Sequence, residues 1–320
     1  SGGEANAIAV RIARAASGRD KVAICGYHGW HDWYISTNLA DTAGLDGHLL
    51  PGLEPAGVPR ALKGTTIPFE YNDLDQLTKI VKNNPDIGTI KMEVTRNVGP
   101  KEGYLAGVRK LCDENDIVLI FDECTSGFRE TYGGIHLKYG VEPDICMFGK
   151  ALGNGYAITA VLGRREIMEV AQKTFISSTF WTERIGPTAA IATLNEMKEV
   201  RSWEIITKQG KKIQSGWQKL GLEHKLPLQV AGIPALCIYS INTPNWLKYK
   251  TFITQEMLKR GYLAGNSVYV CIKHDDTVID NYLNELSPIM KVISSFEESG
   301  RDISELLEGP VSHGGFKRLN

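Results

Sequence analysis

The sequence predicts an α/β fold, a mostly parallel central sheet sandwiched by helices, followed by a smaller C-terminal α+β domain. Two patterns carry that expectation. Over the first two-thirds of the 320 residues, short apolar runs alternate with stretches of helical periodicity. That order yields a parallel sheet with helices on both faces. In the last third, long helical patterns group with a few strand runs. A helix that starts at Pro187 leads from one part to the other, giving a large domain over 1–187 and a small one over 188–320.

The elements follow in order. Small residues at 1–3 open a helix over 4–16, and a strand over 21–27 comes next. The stretch 42–66, rich in Gly, Pro and small residues, reads as a long surface loop. Helix 74–83, strand 87–94, helix 104–114 and strands 117–122, 145–148 and 157–163 complete the alternation. The helix after Pro187 places Ala189, Ile191, Leu194, Met197 and Val200 at helical spacing, with proline suited to its first turn. Helix 203–220, strands 228–230 and 235–241, helix 246–261 and strand 268–272 make up the second domain. Its last helix, 277–298, is expected to break or kink at Pro288. The tail 309–320 lacks periodicity and reads as an arm, and there is no internal repeat or low-complexity tract.

Composition narrows the function class. The net charge of −1 offers nothing to nucleic acid or an anionic membrane, and basic clusters interleaved with aromatics are absent. Six cysteines, at 25, 112, 124, 146, 237 and 271, form no Cys-x-x-Cys pair. Cys25, Cys146, Cys237 and Cys271 lie in apolar runs, where inert buried thiols are expected. That usage predicts a reducing, cytoplasmic compartment and no metal site. No run is long and apolar enough to span a membrane.

The chemistry concentrates in three segments. Strand 145–148 delivers Lys150 into a turn built from Gly149, Gly153 and Gly155. A lysine partly desolvated in such a turn is a nucleophile that forms Schiff bases with carbonyl compounds, pyridoxal phosphate among them. The apolar strand 117–122 ends in Asp122 and Glu123, and ligands of open α/β sheets sit beyond the carboxyl ends of strands. A carboxylate there holds a pyridine nitrogen protonated, or merely caps a loop. The start Ser1-Gly2-Gly3-Glu4-Ala5-Asn6 would present free backbone N–H groups to a phosphate, a weak signal on its own.

Read together, these segments resemble the class III aminotransferases of the fold-type I pyridoxal-phosphate enzymes. Ser1-Gly2-Gly3-Glu4-Ala5-Asn6 is similar to that family's phosphate turn, and Tyr27-His28-Gly29 to its aromatic-His-Gly motif. Phe121-Asp122-Glu123-Cys124-Thr125-Ser126-Gly127-Phe128-Arg129 resembles its Asp-Glu segment, and Phe148-Gly149-Lys150-Ala151-Leu152-Gly153-Asn154-Gly155 its lysine motif. Order and spacing agree over nearly the whole chain. Within the class, Phe128-Arg129 and the run from Asn266-Ser267 to His274 resemble glutamate-1-semialdehyde aminomutase and its relatives. Departures from the pattern are Gly3 in place of Thr or Ser, Glu93-Val94 in place of Glu-Pro, and the extension Trp30-His31-Asp32-Trp33. By comparison with the family, a preceding segment that helps line the substrate pocket is expected.

The resemblance implies a role for each residue. Lys150 carries the cofactor as a Schiff base and then moves a proton between substrate Cα and cofactor C4′. Asp122 pairs with the pyridine nitrogen, while Glu123 orients nearby backbone or an arginine. Tyr27 stacks on the ring, the Gly2 and Gly3 amides meet the phosphate, and Thr125 faces the phenolic oxygen. His28 either touches the cofactor or makes a structural hydrogen bond, and Glu93 either faces the pocket or pairs structurally. His31 is part of a substrate wall or of an ordinary amphipathic cluster. Thr179 or Thr182, in a Ser/Thr-rich turn, reaches the phosphate of a partner in a homodimer with shared active sites. The activity implied is amino transfer between a small-molecule amino donor and an oxo acceptor. Intramolecular transfer by an aminomutase is the alternative, and a non-catalytic protein that keeps the fold is the second. Retention of both Lys150 and Asp122 weighs against the last.

Overall fold

The computed structural model describes residues 1–48, 51–95 and 97–314. The chain divides into two compact units, Ser1–Glu199 and Val200–Gly314. The first begins with α1 (Gly2–Ser17), β1 (Lys21–Cys25), α2 (Asp32–Ile35), α3 (Thr37–Ala40) and β2 (Thr66–Pro68). It continues with α4 (Leu74–Asn83), β3 (Ile87–Glu93), α5 (Tyr104–Glu114), β4 (Val118–Asp122) and β5 (Ile145–Phe148). It ends with β6 (Ala160–Gly163), α6 (Arg165–Met168) and α7 (Ile185–Val200), so the helix containing Pro187 falls largely in this unit.

The strands order as β2-β1-β3-β4-β5-β6. All neighbours are parallel except β5 and β6, which run antiparallel. Every residue of β3 and β4 is buried, as covering both faces of a parallel sheet requires. The period of two sorts their side chains. Val22, Ile24, Val118, Ile120, Ile145 and Met147 join Ala5, Ala9, Ile12 and Ala13 of α1 in one core cluster, while Cys146 and Phe148 join Leu152 and Ala190 in another. The start of β5 is fixed by Asp144. Its carboxylate accepts the Leu119 amide of β4 at 2.7 Å and pairs with Arg109 at 2.9 Å and Arg164 at 3.1 Å.

The second unit comprises α8 (Ser202–Glu223), the antiparallel sheet of β7 (Leu228–Ile233), β8 (Leu236–Ile241) and β9 (Ser267–Tyr269), α9 (Trp246–Lys259) and α10 (Asp276–Ser299). Its core centres on Trp217, whose indole N–H donates to the Tyr282 hydroxyl at 2.9 Å.

Four expectations need correction. Residues 66–68, at the end of the expected loop and beyond it, form β2, three residues ending in Pro68, too short to leave a periodic signal. Proline is admissible there because β2 is an edge strand with β1 as its single neighbour. Helix α10 runs continuously through Pro288, so of the expected break or kink there is no break. Cys271 is exposed, since β9 ends at Tyr269 and leaves it in the following turn. The strand expected over 157–163 shortens to β6. Residues 49 and 50 of the loop and 315–320 of the tail lie outside the described residues.

Candidate active site

The site forms where β1, β3, β4 and β5 end. Asp122, the last residue of β4, is buried and pairs in register with Met147 of β5 and Glu93 of β3. Its Oδ1 accepts the Cys124 amide at 3.1 Å. Its Oδ2 accepts from His28 Nδ1 at 2.9 Å and lies 3.8 Å from Lys91 Nζ. Burial alone would raise the carboxyl's pKa, but the Lys91 charge and the His28 hydrogen bond outweigh it and hold Asp122 well below the usual carboxylate range.

His28 has no exposed surface. Its Nε2 faces the Cys25 carbonyl at 3.2 Å, and the shorter contact, to Asp122, takes the ring proton. Burial, opposed by the bond to Asp122, lowers its pKa to about 4, so the ring is neutral at pH 7. His28 thus makes a structural hydrogen bond to Asp122, one of the two uses the sequence left open.

A pH dependence follows. The unfolded chain binds a proton on His28 below its ordinary value of 6.5, whereas the folded chain does so only below about 4. Stability contributed by the neutral ring is therefore full above pH 6.5 and falls as pH drops toward 4, by at most about 3 kcal/mol. Asp122, with a depressed value, adds a loss in the same direction at still lower pH. Urea midpoints measured from pH 7 to 4 should fall, and His28→Gln should flatten that slope. A midpoint unchanged between pH 6.5 and 4.5 in the native protein would contradict this account.

Lys150 follows β5 and opens a single 3₁₀ turn with φ of 45°, a left-handed conformation unusual for a non-glycine residue. Such strain persists where the surrounding structure fixes it, and it clusters at functional sites. Gly153 closes the turn, where a Cβ would lie 2.1 Å from the Tyr156 carbonyl oxygen. The Lys150 ammonium donates to Thr125 Oγ1 at 2.7 Å, which joins the ends of β4 and β5. The desolvation expected for this lysine is not found. Lys150 is exposed, because only Leu152 of its turn points into the core.

Tyr27 follows β1, and its amide donates to Glu93 Oε2 at 3.0 Å. That bond gives Glu93 a structural role, holding the loop that presents the 37%-exposed Tyr27 ring. The same loop runs back to the start of α1. Gly29, at φ of 92°, packs so closely that a Cβ would lie 2.9 Å from Gly3 Cα. At Gly3 a Cβ would lie 2.9 Å from His31 Cδ2, so the His31 ring occupies the space a hydroxyl-bearing side chain would need. The amides of Gly2 and Gly3 belong to the first turn of α1, whose N–H groups have no intrahelical acceptor. The aromatic extension divides, with Trp33 packed in the core and Trp30 73% exposed.

Glu123 is buried, its Oε1 accepting from the His136 amide at 3.0 Å and His136 Nδ1 at 2.9 Å and its Oε2 from the Ser126 hydroxyl. It thus orients backbone, as one of the two expected uses has it. The ligand atoms of Glu123, His136 and Cys146 fall within 4.8 Å of one another. With both Glu123 oxygens already engaged, the group acts as a hydrogen-bonded brace. Cys124, beside Asp122, has its thiol pushed up by burial, which leaves it a poor nucleophile.

The structure thus sets Tyr27, Asp122, Thr125 and Lys150 at adjacent strand ends, bonds Lys150 to Thr125, and packs Gly3 against the Tyr27 loop. Among the described residues, no hydrogen bond joins Thr179 or Thr182 to them, though Phe180 and Trp181 of their turn line a cavity with Ser1 and Glu4 at the start of α1. Both threonines lie in an exposed 3₁₀ turn, and the Thr182 hydroxyl donates to the Thr179 carbonyl at 3.0 Å. Lys91 was missed from sequence, although a lysine inside the apolar run 87–94 was itself a signal.

Comparison with known proteins shows the family and the fold. Residues 1–279 match the family described as Aminotransferase class-III. The chain is 36% identical over 291 residues to a 3-aminobutyryl-CoA aminotransferase of Cloacimonas acidaminovorans, covering 86% of this chain and 66% of that protein. It is 33% identical over 315 residues to a glutamate-1-semialdehyde 2,1-aminomutase of Methanocaldococcus jannaschii, covering 91% and 72%. Its fold is similar to that of an omega-transaminase from Sphaerobacter thermophilus, with a TM-score of 0.81 at 19% identity over 91% of this chain and 72% of that one. The chain therefore spans about two-thirds to three-quarters of the length of these relatives.

Proposed function

The chain belongs to the class III aminotransferases, enzymes that use pyridoxal phosphate, and from that premise we propose that it transfers an amino group between a small amino donor and an oxo acceptor. The observation that carries this reading is the bond from Lys150 to Thr125 beside a buried, ionised Asp122. These residues fit the cofactor. A carboxylate held ionised suits a protonated pyridine nitrogen, and an amine at an open strand end is accessible to an aldehyde. When bound, the cofactor supplies an electron sink.

The chain's own residues do the rest. Asp122 faces the ring nitrogen and Tyr27 lies against the ring. The Gly2 and Gly3 amides meet the phosphate. Thr125 orients the Lys150 amine, which holds the cofactor and afterwards moves a proton at the reacting carbon. Transfer between two substrates is favoured over transfer within one because the 36%-identical relative is an aminotransferase and because the Trp30–Trp33 extension departs from the aminomutase pattern. The aminomutase reading rests on the 33%-identical relative.

The functional unit we propose is a homodimer in which Thr179 or Thr182 reaches the partner's phosphate site, since both threonines lie in an exposed turn. The partner then covers the exposed lysine. A cytoplasmic location accords with the six free cysteines, and no described helix is long and apolar enough to cross a membrane.

The reading is tested by loading the full-length protein with pyridoxal phosphate and screening amino donors while following the visible absorbance. A donor that bleaches the cofactor band, with the band restored by an oxo acceptor, is the expected outcome. Turnover of glutamate-1-semialdehyde with no response to any donor and acceptor pair would replace it with the aminomutase reading.

A further inference from the structure

Lys91 is the fully buried lysine of the first unit that the proposed chemistry does not use. It sits in β3 beside Ile120 of β4, and the parallel register puts it on the sheet face that also carries Asp122 and Met147. Its side chain has no exposed surface. Among the described residues, its ammonium donates to the Met147 thioether at 3.0 Å and lies 3.8 Å from Asp122 Oδ2. A thioether is a weak acceptor, so Asp122 is the one strong counter-charge within reach.

Asp122 remains the largest opposite charge on Lys91 when the other groups around it are counted. His28, from the loop after β1, is neutral at pH 7. The thiols of Cys124 and Cys146 are pushed up by burial and stay protonated. Glu93, two residues along β3, accepts the Tyr27 amide and keeps its negative charge, which also favours the Lys91 ammonium, less strongly than Asp122 does. Asp122 and Lys91 oppose each other's charge before any ligand arrives. Both Asp122 oxygens are engaged at that stage, Oδ1 by Cys124 and Oδ2 by His28 and Lys91. A protonated ring nitrogen added beside Asp122 makes a second positive charge on the same carboxylate, and like charges sharing a site weaken each other's hold on a proton.

We propose that Lys91 is a positioning residue: its ammonium keeps Asp122 ionised in the cofactor-free protein and then competes with the cofactor's ring nitrogen for that carboxylate. It thereby sets how strongly the ring nitrogen holds its proton. The inference rests on the reading that Asp122 faces that nitrogen.

The test loads native protein and Lys91→Met with pyridoxal phosphate labelled with ¹⁵N in the ring. Methionine removes the charge and keeps an unbranched chain of similar reach. In Lys91→Met the ¹⁵N resonance should move toward the protonated pyridinium position. The pH at which that ring ¹⁵N resonance passes from the protonated to the neutral position should rise by roughly half a unit or more. The same resonance and midpoint in both proteins would overturn the proposal while leaving the cofactor site intact. Native protein that takes up no cofactor on Lys150 would overturn both, and is seen before any variant is made. Should Lys91→Met fail to fold, the cofactor-free double variant Lys91→Met/Asp122→Asn should fold again, because it buries no unpaired charge. A double variant no more stable than Lys91→Met would show that the lysine serves packing alone and would overturn the proposal.

Discussion

Lys150→Ala is expected to lower turnover by about 10⁴-fold or more, the upper range of what a positioned proton-transfer group contributes, while leaving the fold unchanged. The fold is insensitive because the side chain is exposed and its one hydrogen bond, to Thr125, is local. Alanine carries the same Cβ as lysine and so meets the same left-handed φ of 45°, which leaves the turn's backbone unchanged. Borohydride reduction of the loaded native protein followed by peptide mapping should tag Lys150. A tag on another lysine, or residual turnover within tenfold of native, would remove this residue from the chemistry. The same variant tests the dimer. Mixed with subunits altered at both Thr179 and Thr182, it should recover activity, since some heterodimers then hold one site free of both defects. An active monomer, or no recovery on mixing, would make that turn mere surface.

Asp122→Asn is expected to slow the reaction about 10²- to 10³-fold with little change in substrate affinity. An amide keeps the acceptor for His28 and the shape of the carboxyl, but it carries no charge for a ring nitrogen. The size follows from roughly 3–5 kcal/mol for breaking a buried charge pair, at 1.36 kcal/mol per factor of ten. The fold should persist at reduced stability, because Lys91 loses its counter-charge and, already lowered in pKa by burial, can shed its proton. Near-native turnover in Asp122→Asn, with bound cofactor verified by absorbance, would refute the role given to this carboxylate.

Much of the first unit was legible in the sequence because its elements are long or strongly apolar. Helices 74–83 and 104–114 and strand 145–148 coincide with α4, α5 and β5, since capping, periodicity and burial agree there. The pieces that escaped, α2, α3 and β2, span three or four residues and are held by tertiary packing of Trp33, Tyr34 and Thr66. Asp122 ends β4 and Lys150 follows β5, the adjacent strand ends read from sequence, because each closes a strong apolar run. The exposure of Lys150 was not legible, because a glycine-rich turn gives no indication of which side it opens to. The Lys91–Asp122 pairing was hidden for a similar reason. Thirty-one residues separate the two, and only the register of β3 on β4 brings them to one face.

The contact between Gly3 and His31 also constrains how this sequence can change over time. A threonine entering at position 3 first meets an imidazole, so it is harmful until position 31 has become smaller. A smaller residue at 31 leaves a gap beside a bare glycine until position 3 has grown. Each single step is disfavoured while the pair of changes is permitted, so the two positions are epistatic. Lineages that carry glycine at the first should retain a bulky ring at the second, and an engineer restoring the hydroxyl must alter both codons together.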